Sequence, residues 1–75
     1  DLAIKLLQKA IQIQPNHSDS YNNLGNVMLE LGEFTKAINC YEKSIKIKPN
    51  QADAYYNYGI AQKKIRRITK VYKLL

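Results

Sequence analysis

Three kinds of side chain in this sequence suggest chemistry: one histidine, one cysteine and a series of asparagines. His17 follows the turn signal Pro15-Asn16, so we expect it to be a solvated loop residue. Cys40 has no sequence neighbour that would lower its pKa, which favours a packed or surface thiol over a nucleophile. The glycines are isolated and form no phosphate-binding loop, and no set of metal ligands is present. The sequence therefore predicts no catalysis and no metal or cofactor site.

The asparagines favour recognition instead of catalysis. They recur together with acidic residues at spacings of three and four, which places them on one side of a helix. An asparagine side chain offers one acceptor and two donors, so it can pair with the backbone of an extended peptide of any sequence. We call this side the polar stripe, and its members are Asp19, Asn22, Asn23, Asn26 and Glu30.

The elements that must position the polar stripe are helices separated by turn signals. The opposite side of the same helix is apolar, and Gly32-Glu33 supplies a helix stop after it. A second apolar pattern follows and is halted at Pro49, so the pair predicts a helical hairpin. An earlier helix is expected at about 2–14, and either Ser18 or Asp19 can cap the next one. The apolar residues of the first stripe are Tyr21, Leu24, Gly25, Met28 and Leu31.

The sequence repeats itself with a period of 34 residues. A shift of that length superimposes Asn23 on Asn57 and Gly25 on Gly59. Because the two copies carry the same pattern, we expect successive hairpins of the same kind. The period divides the chain into a second helix of a partial unit at 1–17, a complete unit at 18–51, and a partial or degenerate unit with a basic C-terminal helix at 52–75.

The pattern of the complete unit resembles the tetratricopeptide repeat, and the resemblance extends over essentially the whole chain. It implies an all-α fold in which helical hairpins stack as an α-α superhelix, and a non-catalytic scaffold for protein-protein interaction. It also implies that Gly25, Ala37 and Gly59 lie where two helices approach closely. The residues that carry the resemblance are Tyr21-x-x-Leu24-Gly25-x-x-Met28, then Ala37-x-x-x-Tyr41 and Pro49.

The resemblance further implies a concave groove, lined by the first helix of each hairpin, that binds an extended peptide or partner segment. Asn23 and Asn57 resemble the asparagine ladder of the tetratricopeptide arm in protein O-linked N-acetylglucosamine transferases, although asparagine is common at these places in the family generally. The carboxylate clamp of chaperone-binding repeats is not expected, because Asn22 stands where its first lysine should be. The expected peptide-binding residues are Asp19, Asn22, Asn23, Asn26, Glu30, Asp53, Tyr56, Asn57, Lys63 and Lys64, with Leu29 and Ile60 between them.

The segment 60–75 allows two interpretations, a degenerate hairpin or one long terminal helix. Ile65-Arg66 replace the Leu-Gly turn of the family, so the helix breaker is missing. The apolar residues from Ile65 to Leu75 follow helical spacing without a break, which suits a single helix. Thr69 can help to start a new helix, however, and for that reason we expect the hairpin.

The net charge of +6 lies entirely in the last part of the chain. Residues 1–53 carry six lysines and six acids, whereas 54–75 carry six cations and no acid. These cations and the apolar residues occupy opposite sides of a helical wheel, which makes a basic amphipathic segment. As an alternative function, this segment binds nucleic acid, an anionic membrane or an acidic partner. We expect instead that its polar side is solvated and its apolar side packs on other helices, without nucleic acid or membrane.

No apolar run approaches the roughly 20 residues of a membrane span, and the first residues do not resemble a signal peptide. We therefore expect an intracellular, cytoplasmic protein whose partner is a protein or peptide. Both terminal helices are expected to present uncovered apolar side chains, so we expect a fragment of a longer array that self-associates through these helices when alone. The side chains are Leu2, Leu6 and Ile13 on the first helix and Ile68, Val71 and Leu75 on the last.

Overall fold

Short turns join the α-helices of the chain, and a computed structural model describes residues 1–74. Leu75, which we assigned to an uncovered apolar stripe, lies outside the described residues. Within 1–74 the chain forms four helices and no strand, so the predicted all-α architecture of helical hairpins is confirmed. The helices are α1 (Leu2–Ile13), α2 (Ser18–Glu30), α3 (Phe34–Ile47) and α4 (Ala52–Leu74).

The capping of α2 differs from the sequence-based expectation, although the helix begins where the sequence predicts it. The helix begins at Ser18, and His17 is the capping residue, although its side chain makes no capping hydrogen bond. The prediction that Ser18 or Asp19 caps this helix is wrong, because both residues already belong to its first turn. Their groups bond elsewhere: the Ser18 carbonyl accepts from Ser44, and the Asp19 carboxylate accepts from Gln51.

The turn between α2 and α3 occurs where the sequence predicts it. Gly32 has a φ of 79°, in the left-handed region that favours glycine. The Gly32 N–H donates to the Leu29 carbonyl at 3.1 Å, and the Glu33 N–H donates to the Met28 carbonyl at 2.9 Å. These two bonds make a Schellman motif, which satisfies carbonyls at the end of α2 and reverses the chain.

The last helix is the main correction to the fold expected from sequence. α4 continues without interruption from Ala52 to Leu74, so the preferred hairpin over 60–75 is wrong and the alternative of one long helix is right. Thr69, which was expected to start a new helix, donates its hydroxyl to the Ile65 carbonyl at 3.0 Å. That bond satisfies the hydroxyl inside the helix, and no glycine or proline after Gly59 is present to break it.

Tyr41 of α3 lies at the centre of the hydrophobic core. Its side chain is fully buried and packs with Leu24 and Met28 of α2, Ala37 of α3 and Ala61 of α4. A Cβ at Gly25 would lie only 2.6 Å from the Tyr41 ring, so the absence of a side chain there lets α2 and α3 approach closely.

Gly59 is in a different situation from its repeat equivalent Gly25. No other part of the described chain lies within 4 Å of where its Cβ would be. The expectation that Gly59 lies at a close helix crossing is therefore wrong within residues 1–74, because no helix packs on that side of α4.

The order of helix contacts defines an inner side of the stack. Each helix packs on the next one along the chain, and α2 also contacts α4 directly. No comparable contact joins α1 to α3 within residues 1–74. We call the side formed by α2 and α4 the inner face. None of the helices described is both long and apolar enough to cross a lipid bilayer.

The two glycines give a matched test of this packing. Gly25→Ala should destabilise the protein by about 1–3 kcal/mol, because the buried Tyr41 ring has to move to accept the new methyl group. Gly59→Ala should stabilise it by about 0.5–1 kcal/mol, because the methyl group meets open space and alanine favours the helix. Urea denaturation followed by circular dichroism measures both. Equal effects at the two positions would contradict the packing described.

Candidate functional site

Direct hydrogen bonds between side chains connect α2 and α4 across the inner face. The Asn22 amide donates from Nδ2 to Oδ2 of Asp53 at 3.2 Å. One turn further along, Nδ2 of Asn57 donates to Oδ1 of Asn26 at 3.0 Å. Each bond joins residues 31 positions apart, so the same polar rung occurs twice along the pair of helices.

Asn26 is also bonded to the core residue Tyr41. The Tyr41 hydroxyl donates to Oδ1 of Asn26 at 2.6 Å, so this oxygen accepts from both α3 and α4. Burial, together with the charges of Cys40 and Glu30, raises the pKa of Tyr41 to about 12. The phenol therefore keeps its proton near neutral pH and acts as a permanent donor.

A second polar network lies at the start of α2. The buried Ser44 hydroxyl lies 3.0 Å from the Ser18 carbonyl and 2.8 Å from Oε1 of Gln51, and its single hydrogen is donated to one acceptor at a time. Nε2 of Gln51 in turn donates to Oδ1 of Asp19 at 3.0 Å. Ser44 and Gln51 were not predicted from the sequence as members of a polar network. The signal for Ser44 was its place three residues after Tyr41, on the core side of α3.

Asn22 is the most deeply buried member of the polar stripe. Only 6% of its surface is exposed, and its Oδ1 atom has no hydrogen-bond partner among the described residues. Rotating the amide by 180° would place this oxygen against the Asp53 carboxylate, so the bond to Asp53 holds the unpaired oxygen in place. Asn22 therefore connects the helices and is buried away from the surface.

The other predicted site residues are more accessible. Tyr56 is 72% exposed. Asn26, Leu29, Asn57 and Ile60 are half-buried between α2 and α4. Nζ of Lys64 lies 5.9 Å from the centre of the Phe34 ring, which places this lysine beside the start of α3. The exposed members of the predicted set are Asp19, Asn23, Glu30, Asp53, Tyr56, Lys63 and Lys64.

Comparison with protein families agrees with this architecture. A family described as tetratricopeptide repeat matches residues 6–39, and one described as TPR repeat matches residues 25–65. The chain belongs to the tetratricopeptide repeat family. No curated protein matches the chain in a sequence comparison. Tetratricopeptide repeats are in general protein-protein interaction modules without catalytic activity of their own.

The two reactive side chains of this tetratricopeptide repeat protein lie apart from the inner-face rungs. Nδ1 of His17 lies 2.6 Å from the Ser20 hydroxyl, in the turn between α1 and α2. Cys40 is a half-buried thiol of α3, and burial raises its pKa, so it is a poor nucleophile. No group of three or more potential metal ligands occurs within residues 1–74.

The basic segment forms the free end of α4, which we define as residues 66–74. Because Lys64 already lies beside Phe34, the first residue of α3, the free end extends past α3. Its apolar residues Ile68, Val71 and Tyr72 are exposed, and only Ile65 just before it is half-buried. The apolar side of this segment is thus uncovered within the described chain, as expected for Ile68 and Val71 of the last helix.

Asn26 is hydrogen-bonded to other side chains and Asn23 is exposed, so substitutions at these two positions should affect stability differently. Asn26→Ala should cost about 1–3 kcal/mol of stability, because the buried Tyr41 hydroxyl loses its acceptor. Asn23→Ala, at an exposed position of the same helix, should change stability by no more than about 0.5 kcal/mol. Thermal and urea denaturation measure both. A stability loss at Asn23 as large as that at Asn26 would contradict the assignment.

Proposed function

We propose that the inner face binds an extended segment of a partner protein, with Asn23 and Tyr56 as its main free contacts. The observation that supports this is the contrast between neighbours. Asn22, Asn26 and Asn57 are bonded to other side chains of the chain, whereas Asn23 and Tyr56 are exposed beside them. Exposed amides and tyrosines without internal bonds are typical of binding surfaces.

The rungs between α2 and α4 prepare this surface for binding. Because they fix the spacing of the two helices, a peptide does not have to order them when it binds. The Asn23 amide has both donors and its acceptor free, which suits paired hydrogen bonds with a peptide backbone. Tyr56 supplies a large apolar ring with few rotatable bonds, which suits the packing of one peptide side chain.

The charges along the inner face favour one orientation of the peptide. Asp19 and Asp53 lie in the first turns of α2 and α4, while Lys63 and Lys64 lie further along α4. A peptide that is basic at one end and acidic at the other therefore matches the face in one direction only. Asp19, Asn22, Asn26, Glu30, Asp53, Asn57, Lys63 and Lys64 complete the proposed site, with Asn22, Asn26 and Asn57 in a supporting role.

Binding of a peptide selected by display against the native chain tests this proposal. Asn23→Ala should weaken the selected peptide about fivefold for each hydrogen bond lost, and Tyr56→Ala should weaken it about tenfold or more. Helicity should be unchanged in both variants, since both side chains are exposed. Isothermal titration calorimetry measures the affinities.

The control for this experiment is Lys46→Glu on the exposed side of α3, which should leave affinity unchanged. Lys43 is a poor control, because its Nζ lies 5.6 Å from the centre of the Tyr21 ring. If the selected peptide binds both the Asn23→Ala and the Tyr56→Ala variant as tightly as the native chain, the inner face is not the binding site.

The free end of α4 supports a second candidate function, the binding of an acidic partner. It presents Ile68, Val71 and Tyr72 to solvent beside Arg67 and Lys70, so apolar and cationic groups are available together. The salt dependence of binding affinity distinguishes the two functions. A ligand of the free end should lose affinity steeply between about 50 and 200 mM salt and should be weakened by charge reversal at Lys70. A ligand of the inner face should respond only mildly to salt and should be unaffected by the change at Lys70.

A further inference from the structure

The packing of α3 on α2 serves as a template for a second helix contact, whose two surfaces are both uncovered in the described chain. In this template Tyr41 fills the space above Gly25. Nζ of Lys43 lies 5.6 Å from the centre of the Tyr21 ring, within the range of a cation–π contact. The period of 34 residues makes α1 the equivalent of α3 and α4 the equivalent of α2.

The side of α4 that corresponds to the template is uncovered. Nothing in the described chain lies within 4 Å of a Cβ placed on Gly59, whereas its equivalent Gly25 is buried. Tyr55 is 47% exposed, and its equivalent Tyr21 is half-buried beneath Lys43. This side of α4 therefore has the shape of the template without the helix that fills it.

The side of α1 that corresponds to the template is uncovered as well. Leu6 is 60% exposed and Ile13 is 71% exposed. Their equivalents one repeat later, Cys40 and Ile47, are half-buried on α3. Two half-buried side chains of α3 are therefore matched on α1 by apolar side chains that are exposed in the described chain.

We propose that a second copy of the chain docks its α1 on this side of α4 and reproduces the packing of α3 on α2. The repeat sets the register. Leu7 of one copy then lies over Gly59 of the other, as Tyr41 lies over Gly25, and Lys9 lies over Tyr55, as Lys43 lies over Tyr21.

The side chains at the proposed contact are compatible with this register. In the template the polar pair Tyr41 and Asn26 is joined by a hydrogen bond. The equivalent pair at the proposed contact is Leu7 and Ile60. Both side chains are apolar, so this pair leaves no polar group without a hydrogen bond. Ala3 and Ala37 are also equivalent, which preserves a small residue where the helices approach.

The proposed contact joins two different surfaces, so it is heterologous and does not close on itself. Copies add head to tail, and association continues to larger species as concentration rises. Each added copy would also lengthen the inner face by a further α2 and α4. The contact does not depend on the proposed peptide binding, because Gly59, Tyr55 and the residues of α1 are not part of the proposed peptide site.

Sedimentation velocity of the 75-residue chain without any peptide tests the proposal. The native chain should show a weight-average sedimentation coefficient that rises with concentration. Gly59→Leu should remain a monomer with an unchanged or higher melting temperature, because its side chain meets open space in one chain and blocks docking between two. Leu6→Glu should also remain a monomer, because it places a charge in the same contact from the other side.

Mixing the two variants gives the sharpest result. Gly59→Leu retains a functional α1 and Leu6→Glu retains a functional α4, so the mixture should form a 1:1 dimer and nothing larger. Ile68→Glu on the free end of α4 is the control and should associate like the native chain. A native chain that is monomeric at every concentration, or a Gly59→Leu variant that associates as strongly as the native chain, would overturn the proposal.

Discussion

The packing of the Tyr41 ring against the bare backbone of Gly25 is the contact on which the rest of the structure depends. It brings α2 and α3 close together and places the Tyr41 hydroxyl beside Asn26, which in turn accepts a bond from Asn57 on α4. One buried aromatic residue thereby connects three helices, and the polar rungs of the inner face depend on the spacing it sets. A chain of this size has little other core, since Tyr41 is the one large side chain that is fully buried among the described residues.

The inner face contains both hydrogen-bonded and exposed amides. A buried amide such as Asn22 destabilises a small protein unless it is bonded, and here it holds Asp53 while leaving one oxygen unpaired. The neighbouring Asn23 has the same chemistry but points to solvent. Neighbouring asparagines of one helix therefore differ: Asn22 is hydrogen-bonded to α4, and Asn23 is exposed. On α4, likewise, Asn57 is hydrogen-bonded to Asn26, and the neighbouring Tyr56 is exposed.

The sequence could predict features that depend on neighbours within one repeat. The hairpin of α2 and α3 and its turn at Gly32 follow from local signals and from the repeat period. The predictions that failed concern residues whose contacts are not set by the local sequence pattern. Gly59 is a glycine like Gly25, but no helix lies opposite it within residues 1–74, and Thr69 bonds within α4 instead of starting a helix. The sequence also indicated an amide-rich surface. It could not show that Asn22 is hydrogen-bonded to Asp53, or that Asn26 accepts hydrogen bonds from Tyr41 and Asn57.

A double-mutant cycle on Tyr41→Phe and Asn57→Ala is the measurement that tests the central role of Tyr41 most directly. Both changes remove a donor from the same oxygen of Asn26 and leave the packing of the Tyr41 ring in place. Because the two donors share one acceptor, the unfolding free energies should show a coupling of at least about 0.5 kcal/mol. If the two losses add within about 0.3 kcal/mol, Tyr41 and Asn57 act independently and the account of a linked inner face is wrong.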